Sequence, residues 1–183
     1  APALMLANAR PPGAVPAPPA PAPPRLPLVP RGFVYPRVIL AQTAPSKGPL
    51  PILYLLTSPD AATPYRISES ATMLLGSSLK PFDPLTKGSP LVTHGTGLAV
   101  SDTALMNAYA AGMAFPAKAV TRPPFASDPF YAQVCAKADG IAKAVATQAS
   151  FSQVHKVVPS SLYAIRQATG DALVFGVLER TDS

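Results

Sequence analysis

The sequence offers few side chains for nucleophilic or acid–base catalysis: two histidines, His94 and His155, and one cysteine, Cys135. A cysteine nucleophile is activated by a neighbouring base, so Cys135 and His155 would have to meet in the fold, and nothing in the local sequence brings them together. A single cysteine also excludes an internal disulfide and a cysteine metal cluster. We therefore interpret Cys135 as a small apolar residue of a helix and His155 as a surface or helix-end histidine.

Two glycine-containing runs could belong to enzyme loops. His94-Gly95-Thr96-Gly97 has the composition of an esterase oxyanion loop, which also requires a Gly-x-Ser-x-Gly elbow further along the chain. No such elbow exists, and the nearest candidate, Gly76-Ser77-Ser78, has neither its spacing nor its strand–turn–helix context. The run also lacks the third glycine of a dinucleotide loop, and the 9 acidic residues show no metal-ligand spacing. The sequence predicts no catalytic residue, no metal site and no cofactor; an enzyme that uses one of the two histidines is kept as an alternative.

Positive charge is concentrated in the first part of the chain. The net charge is +6, of which residues 1–50 contribute five basic residues and no acidic one. Residues 51–183 hold ten basic and nine acidic residues and are close to neutral. Nucleic-acid sites cluster Lys and Arg and often add stacking aromatics, whereas the only aromatics near the basic segment are Phe33 and Tyr35. We predict no nucleic-acid partner.

The first 31 residues are predicted to form an extended, proline-rich arm. Of the 25 prolines, eleven lie in the first 30 residues. Five recur at every third residue, which is the period of a polyproline II helix, so their rings would form one ridge. Proline removes backbone donors and disfavours helix in the residue before it, which excludes a helix or a central strand. The ridge prolines and one arginine form the predicted partner-binding set: Pro18, Pro21, Pro24, Arg25, Pro27 and Pro30.

Two interpretations of the arm stay open. It is a semi-rigid linker, or it is a docking strip, because a segment that is already extended loses little entropy on binding. Leu26, Leu28 and Val29 favour docking, since a plain spacer needs no apolar side chains. The expected partner is another protein or a larger complex, including one associated with a membrane.

Residues 32–183 are predicted to form an α+β domain in which an antiparallel sheet packs against one long and one shorter helix. Strands over residues 33–41, 51–57 and 65–69, joined by short polar turns, are typical of an antiparallel meander. Pro36 cannot donate a ladder hydrogen bond, so the first of these strands should lie at a sheet edge or carry a bulge.

The two helices have recognisable start signals. Ser101 or Asp102 can cap the shorter helix, which ends before Pro116. Asp128, followed by a proline at the first helical position, caps the longer helix. Its apolar residues recur at helical spacing as far as Ala149.

A hairpin is predicted at the end of the chain. Residues 162–166 form one strand, Thr169-Gly170-Asp171 the turn, and residues 172–180 the partner strand. Because the sequence stops directly after an apolar strand, we expect the domain to be incomplete at its C-terminus or its sheet to be completed by another chain. No apolar run approaches 18 residues, so no transmembrane segment is predicted.

The order of these elements points to a possible relative. The segments concerned are residues 33–37, the strand over residues 51–57, Pro64-Tyr65-Arg66 and the helix before Pro116. Together they resemble a domain of unknown function found in actinobacterial secreted proteins and lipoproteins, over about residues 32–183. The frequent Ala and Pro fit a high-GC genome. The resemblance implies an extracytoplasmic protein with further strands after the final hairpin, and it brings no catalytic residues.

The leading functional hypothesis is a non-enzymatic extracytoplasmic interaction or structural protein, secreted or associated with the cell envelope. Its arm would dock on, or span to, a larger assembly. The alternative is a small-ligand binding module with a pocket between the sheet and the long helix. The predicted lining of that pocket is Phe130, Val134, Tyr163 and Phe175.

Overall fold

The computed structural model describes residues 25–31, 34–43, 50–92, 95–117 and 128–183. These residues form an α+β fold, as predicted, and divide into two compact units. The sheet unit contains the described residues up to Leu91 together with Ile165–Leu173. The helical unit contains those of Val92–Ala164 together with Val174–Ser183.

The sheet unit is built on four antiparallel strands in the order β1-β2-β3-β4. Their bounds are β1 Arg25–Leu28, β2 Arg37–Gln42, β3 Ile52–Ser58 and β4 Arg66–Thr72. The last three strands confirm the predicted meander, with small shifts of their bounds. The expectation that Pro36 marks an edge or bulged strand is wrong: β2 lies between β1 and β3, and Pro36 precedes its first residue, so no ladder donor is lost.

Strand β1 extends the sheet into the segment that was predicted to be arm. Arg25 pairs with Gln42 and Leu28 with Leu40, and the register shifts between these two pairs. Pro27 falls at this irregularity, where a residue without an N–H group is tolerated. The described sheet therefore begins at Arg25 and not after residue 31, although β1 is an outer strand, as the proline content requires.

The strand register defines two faces of the sheet. Cross-strand partners share a face, and Leu40 stands opposite Leu55. The centre of the inner face is formed by residues that are at most 1 % exposed: Leu28, Val38, Leu40, Leu53 and Leu55. The outer face carries the cross-strand row Ile39, Leu56 and Ile67.

Two helices with side-chain caps form the helical unit. Helix α1, Asp102–Gly112, begins where Ser101 Oγ accepts a hydrogen bond from the Ala104 N–H. Helix α2, Pro129–Val145, begins where Asp128 accepts from the Tyr131 N–H. Both start signals are confirmed. No helix in the described part of the chain is long and apolar enough to span a bilayer.

The remaining strands are short and paired in twos. They are β5 Gln153–Val157, β6 Tyr163–Arg166, β7 Ala172–Phe175 and β8 Leu178–Asp182. Strands β6 and β7 form the predicted hairpin, whereas β8 pairs with β5. The predicted strand over residues 172–180 is therefore two strands, which change partner at Gly176, where a Cβ atom would lie 3.1 Å from Met106 and 3.2 Å from Leu162. Strand β5 was not predicted, and His155 lies in it and not at a helix end.

Candidate functional site

The described end of the proline-rich segment, residues 25–31, is held from two sides within the sheet unit. On one side, Leu28 pairs with Leu40 of β2 and is 1 % exposed. On the other side, the Ser89 N–H donates to the Val29 carbonyl at 3.0 Å, and the Arg31 N–H donates to the Ser89 carbonyl at 3.2 Å. We call loop 83–89 and these contacts the clamp.

The clamp depends on a close backbone approach. Gly88 has φ +71°, a conformation that disfavours any side chain. A Cβ atom there would also lie only 2.6 Å from the Pro30 carbonyl oxygen, so there is no space for one. Arg31 Nε donates to the Gly88 carbonyl at 3.2 Å, and its guanidinium group pairs with Asp83. Lys87 also reaches Asp83, at 3.3 Å. Backbone hydrogen bonds and the Arg31–Asp83 ion pair therefore fix residues 25–31, the base of the arm, to loop 83–89.

The predicted arm residues have different outcomes. Pro18, Pro21 and Pro24 lie outside the described residues. Arg25 is exposed at the start of β1. Pro27 and Pro30 are half-buried against this chain, Pro30 through an isolated bridge to Ser89. The described part of the ridge therefore anchors the segment to its own sheet unit.

A pocket of about 500 Å³ opens beside the clamp, within the sheet unit. Its lining includes Pro27, Gln42, Met73, Lys80 and Phe82. Gln42 Nε2 donates to Met73 Sδ at 3.1 Å, and Lys80 Nζ is paired with Asp171 at 2.6 Å. The pocket is largely open to solvent and is not an enclosed cavity.

The pocket predicted from the sequence involves other residues. Phe130 and Val134 lie on α2, Tyr163 on β6 and Phe175 on β7, all within the helical unit. Phe175 is buried and the other three are half-buried. None of the four lines the 500 Å³ pocket. A pocket between sheet and long helix stays a prediction.

Cys135 lies on α2, where it faces the end of α1. Its Sγ atom is 3.9 Å from the Gly112 carbonyl oxygen, which also accepts a hydrogen bond from Tyr131 Oη at 2.8 Å. Burial, followed by the negative charge of Asp139, raises the pKa of the Cys135 thiol. A thiol held in its protonated form is a poor nucleophile.

A second polar contact joins the two helices near the same point. Tyr109 Oη donates to Asp128 Oδ2 at 2.7 Å, while Asp128 Oδ1 caps α2. Burial and the hydrogen bond to Asp128 raise the pKa of Tyr109. The rings of Tyr109 and Tyr131 meet edge to face, with centroids 5.5 Å apart. The cluster joins the helices by hydrogen bonds and ring packing, and the hydroxyl groups of Tyr109 and Tyr131, whose pKa values are raised by burial, stay protonated at neutral pH.

His155 is half-buried in β5, opposite Arg180 of β8. It is hydrogen-bonded to the Met113 backbone, and its Nδ1 atom is buried without a hydrogen-bond partner among the described residues. Burial, followed by the positive charge of Arg180, lowers the pKa of His155. The carboxylate of Asp182 is itself paired with Arg180, at 2.6 and 2.5 Å. The imidazole is therefore neutral at pH 7, although the negative charge of Asp182 opposes part of this pKa shift.

These surroundings do not assemble a catalytic pair. The described contacts of Cys135 are to Gly112 and Tyr131, and those of His155 are to Met113 and its β8 neighbours. Within the described ranges, no three His, Cys, Asp or Glu side chains are grouped to hold a metal ion. His94 lies outside those ranges. The run that follows it, residues 95–97, is a turn.

One chemically notable residue was missed at the sequence level. Glu69 stands opposite Leu55 and so lies on the inner face, with its Oε1 atom buried and without a hydrogen-bond partner among the described residues. Burial raises the pKa of Glu69 to about 7. Simple alternation along β4 places Glu69 on the same face as Ile67. A bulge between them reverses that phase, and the sequence pattern carries no signal for the bulge.

Comparison with known proteins adds no relative. No protein-family model matches the sequence, no curated protein is significantly similar to it, and no solved structure significantly resembles the fold. The resemblance to a domain of actinobacterial secreted proteins therefore stays a prediction.

Proposed function

We propose that this protein is a non-enzymatic interaction or structural protein of an extracytoplasmic assembly, and that its proline-rich arm docks on a protein partner. The observation that carries the proposal is the clamp. It fixes residues 25–31 to the sheet unit on both sides, directly after the 24 residues that hold most of the ridge. A partner bound to the arm would be attached to a folded body through a short, firmly held base.

The chemistry of the arm supports protein recognition. Extended proline-rich segments bind aromatic-lined grooves because their conformation is set before binding. The segment up to residue 31 carries Arg10, Arg25 and Arg31 and no acidic residue. Arg31 is engaged by Asp83, whereas Arg25 is exposed. The partner surface is therefore expected to combine an aromatic groove with an acidic rim.

The state of the reactive side chains supports a role without catalysis. Burial keeps the Cys135 thiol protonated by raising its pKa, and the pKa of His155 is lowered, which leaves a neutral imidazole. An efficient cysteine nucleophile needs a lowered pKa, and an efficient general base needs a pKa near the working pH and an adjacent group that orients it.

The proposal is tested by comparing two triple variants of the full chain. The ridge variant replaces Pro18, Pro21 and Pro24 by alanine. The matched control makes the same three changes off the ridge, at positions 16, 19 and 23. Each tagged protein is expressed in the cells that natively produce it, and co-purified proteins are quantified by mass spectrometry. We expect the ridge variant to lose the partner that wild type and control retain.

A synthetic peptide of residues 1–24 provides an independent readout, since it should displace the same partner from the wild-type protein. The proposal fails if a chain lacking residues 1–24 retains every co-purified protein and the peptide displaces none. Circular dichroism of each variant confirms that the clamp and the sheet are intact.

A small-ligand binding module is the second candidate, and the 500 Å³ pocket beside the clamp is the observation that favours it. The fluorescent probe 1-anilinonaphthalene-8-sulfonate should brighten in this pocket. Ser78→Trp, at the pocket lining, should abolish the signal, whereas Ser70→Trp, outside the lining, should not. Equal signals from the two variants would remove this candidate.

A further inference from the structure

Strand β4 is an outer strand of the four-stranded sheet, and its edge is open among the described residues. The sheet order places no described strand beyond it. Arg66, Ile67, Ser68 and Ser70 are exposed. The opposite edge, at β1, is occupied by the clamp. An open edge presents unpaired backbone N–H and C=O groups that another strand can bind.

The bulge in β4 gives this edge an unusual charge pattern. Glu69 pairs with Leu55 and Arg66 with Thr57, and Leu55 and Thr57 share the inner face of β3. Arg66 and Glu69 therefore lie on one face, although they are three positions apart and regular alternation would put them on opposite faces.

The positive Arg66 and the negative Glu69 on one face make the β4 edge complementary in charge to the β4 edge of a second copy. A second copy of β4, antiparallel and related by a two-fold axis between residues 67 and 68, brings Arg66 opposite Glu69 of the partner subunit. Symmetry brings Glu69 opposite Arg66 of the partner subunit at the same time. Residues directly opposite each other in an antiparallel pair lie on the same face of the sheet. Without the bulge, Arg66 and Glu69 would lie on different faces, so they could not pair in this register.

We propose that the β4 edge is the interface of a symmetric dimer of this chain, held by two reciprocal Arg66–Glu69 pairs across the two-fold axis. The Glu69 carboxylate, which has an oxygen without a hydrogen-bond partner among the described residues, gains a guanidinium group as its donor. This dimer does not involve the arm. Its test is therefore independent of the test of the proposed function.

The centre of the interface is apolar. Ile67 is 60 % exposed on the outer face, next to the proposed axis, and Leu56 and Ile39 continue its row across the sheet. Pairing of two β4 strands brings Ile67 of each copy close to the axis. Ile67 therefore adds apolar burial to the charge pairs and the backbone ladder.

The test is a charge-reversal cycle measured by sedimentation equilibrium over a range of protein concentrations. Arg66→Glu places two acidic residues opposite each other, and Glu69→Arg places two arginines opposite each other. Each variant alone should dimerise about 10- to 100-fold more weakly than wild type, since two attractive pairs become repulsive. An equimolar mixture of the two variants should recover the dimer, because the mixed pair restores opposite charges at both contacts.

Lys156→Glu is the matched control, a charge reversal on a short strand of the helical unit, and it should leave the dimer unchanged. Far-ultraviolet circular dichroism shows whether each variant is folded. The proposal is overturned if wild type is monomeric at all concentrations, if either single variant dimerises like wild type, or if the mixture stays monomeric while each variant is folded.

Discussion

The two edges of the four-stranded sheet are protected in different ways. The β1 edge is occupied: Pro27 and Pro30 lack donors, and the clamp supplies a backbone contact at Ser89. The β4 edge has no neighbouring strand in the described part of the chain, and it carries a bulge and an inward-facing carboxyl group, Glu69. Prolines discourage strand pairing at an edge, and a bulge with an inward-facing carboxyl group restricts pairing to a strand that supplies a cationic partner. Proline acts under all conditions, whereas a carboxyl group acts as a charge only when it is ionised.

This difference assigns the two edges different roles. The β1 edge is covered by the clamp and holds the base of the arm, so we expect a change there to affect folding stability. We expect the β4 edge to contribute less to stability and, in the proposed dimer, to bind a second copy of the chain. Variants at each edge separate these roles, and the expected effects decrease from the clamp to the bulge.

Gly88→Ala should cause the largest loss of stability. Its φ of +71° disfavours any side chain, and the new Cβ atom would approach the Pro30 carbonyl oxygen to 2.6 Å. We expect a loss of about 2–4 kcal/mol in the free energy of unfolding, measured by urea denaturation.

Gly76→Ala is the matched control for the clamp. Gly76 has φ +77° but nothing within 4 Å of the added Cβ, so it reports the backbone strain alone, about 1 kcal/mol. If both variants lose the same stability, the close approach of loop 83–89 to residue 30 does not hold the β1 edge.

Glu69→Gln should stabilise the protein only at neutral and alkaline pH. The pKa of Glu69 is raised from 4.5 to about 7 because its carboxyl group is buried against an uncharged face of β3. The stability that depends on its protonated form is fully present below pH 4.5 and is lost as the pH rises through 7. Arg66 is the charged residue that shares its face on β4.

We therefore expect the stability advantage of Glu69→Gln over wild type to grow by about 1–2 kcal/mol between pH 4.5 and pH 8, after allowance for the solvent contact of a half-buried group. Urea denaturation at each pH, at dilute protein concentration, measures it. Glu179→Gln, an exposed change on β8, should show no such growth. A pH-independent difference for Glu69→Gln would show that the β4 carboxyl group does not titrate in this range.

His155 provides a pH effect of the opposite sign, in the helical unit. Burial lowers its pKa below 6.5, so the folded state resists protonation, and stability present above pH 6.5 is lost as the pH falls through the folded-state pKa. His155→Gln should remove this acid-side loss, which we expect to be smaller than the effect at Glu69. Urea denaturation between pH 5 and pH 7.5 checks it, and a variant that destabilises equally throughout would contradict it.

The difference between the edges also explains what could be predicted from the sequence. Local signals were sufficient for the meander strands and for the cap at Asp128, since alternation and capping act over a few residues. Strand β1 could not be predicted because prolines argue against a strand, and here Pro27 lies at a register shift and Pro30 makes a bridge to Ser89. That contact joins residues far apart in sequence.

The position of Glu69 on the inner face could not be predicted from the sequence because it also depends on a contact between segments. A single inserted residue reverses the phase of β4, and whether a bulge forms depends on pairing with Leu55 and Leu56 rather than on β4 itself. The same holds for strand β5, which pairs with β8 and in which the buried Gln153 donates to the Met113 carbonyl, 40 positions away in sequence.

Ser68→Ala should have the smallest effect, and it examines the cause of the bulge. Ser68 Oγ donates to the Leu55 carbonyl at 3.1 Å, at the point where the β3–β4 register shifts. Alanine leaves that carbonyl without this donor, so we expect a loss of about 0.5–1 kcal/mol in the free energy of unfolding, because the site is partly open to water. Ser70→Ala, one pleat further along the same strand, is the control.

Dimer formation gives a second readout. If the Ser68 hydroxyl maintains the bulge, Ser68→Ala weakens association more than Ser70→Ala does, because Arg66 and Glu69 no longer share a face. If Ser68→Ala leaves both stability and association unchanged, the hydroxyl does not set the register of β4, and the bulge is held by the packing of Glu69 and Ile67 on opposite faces alone.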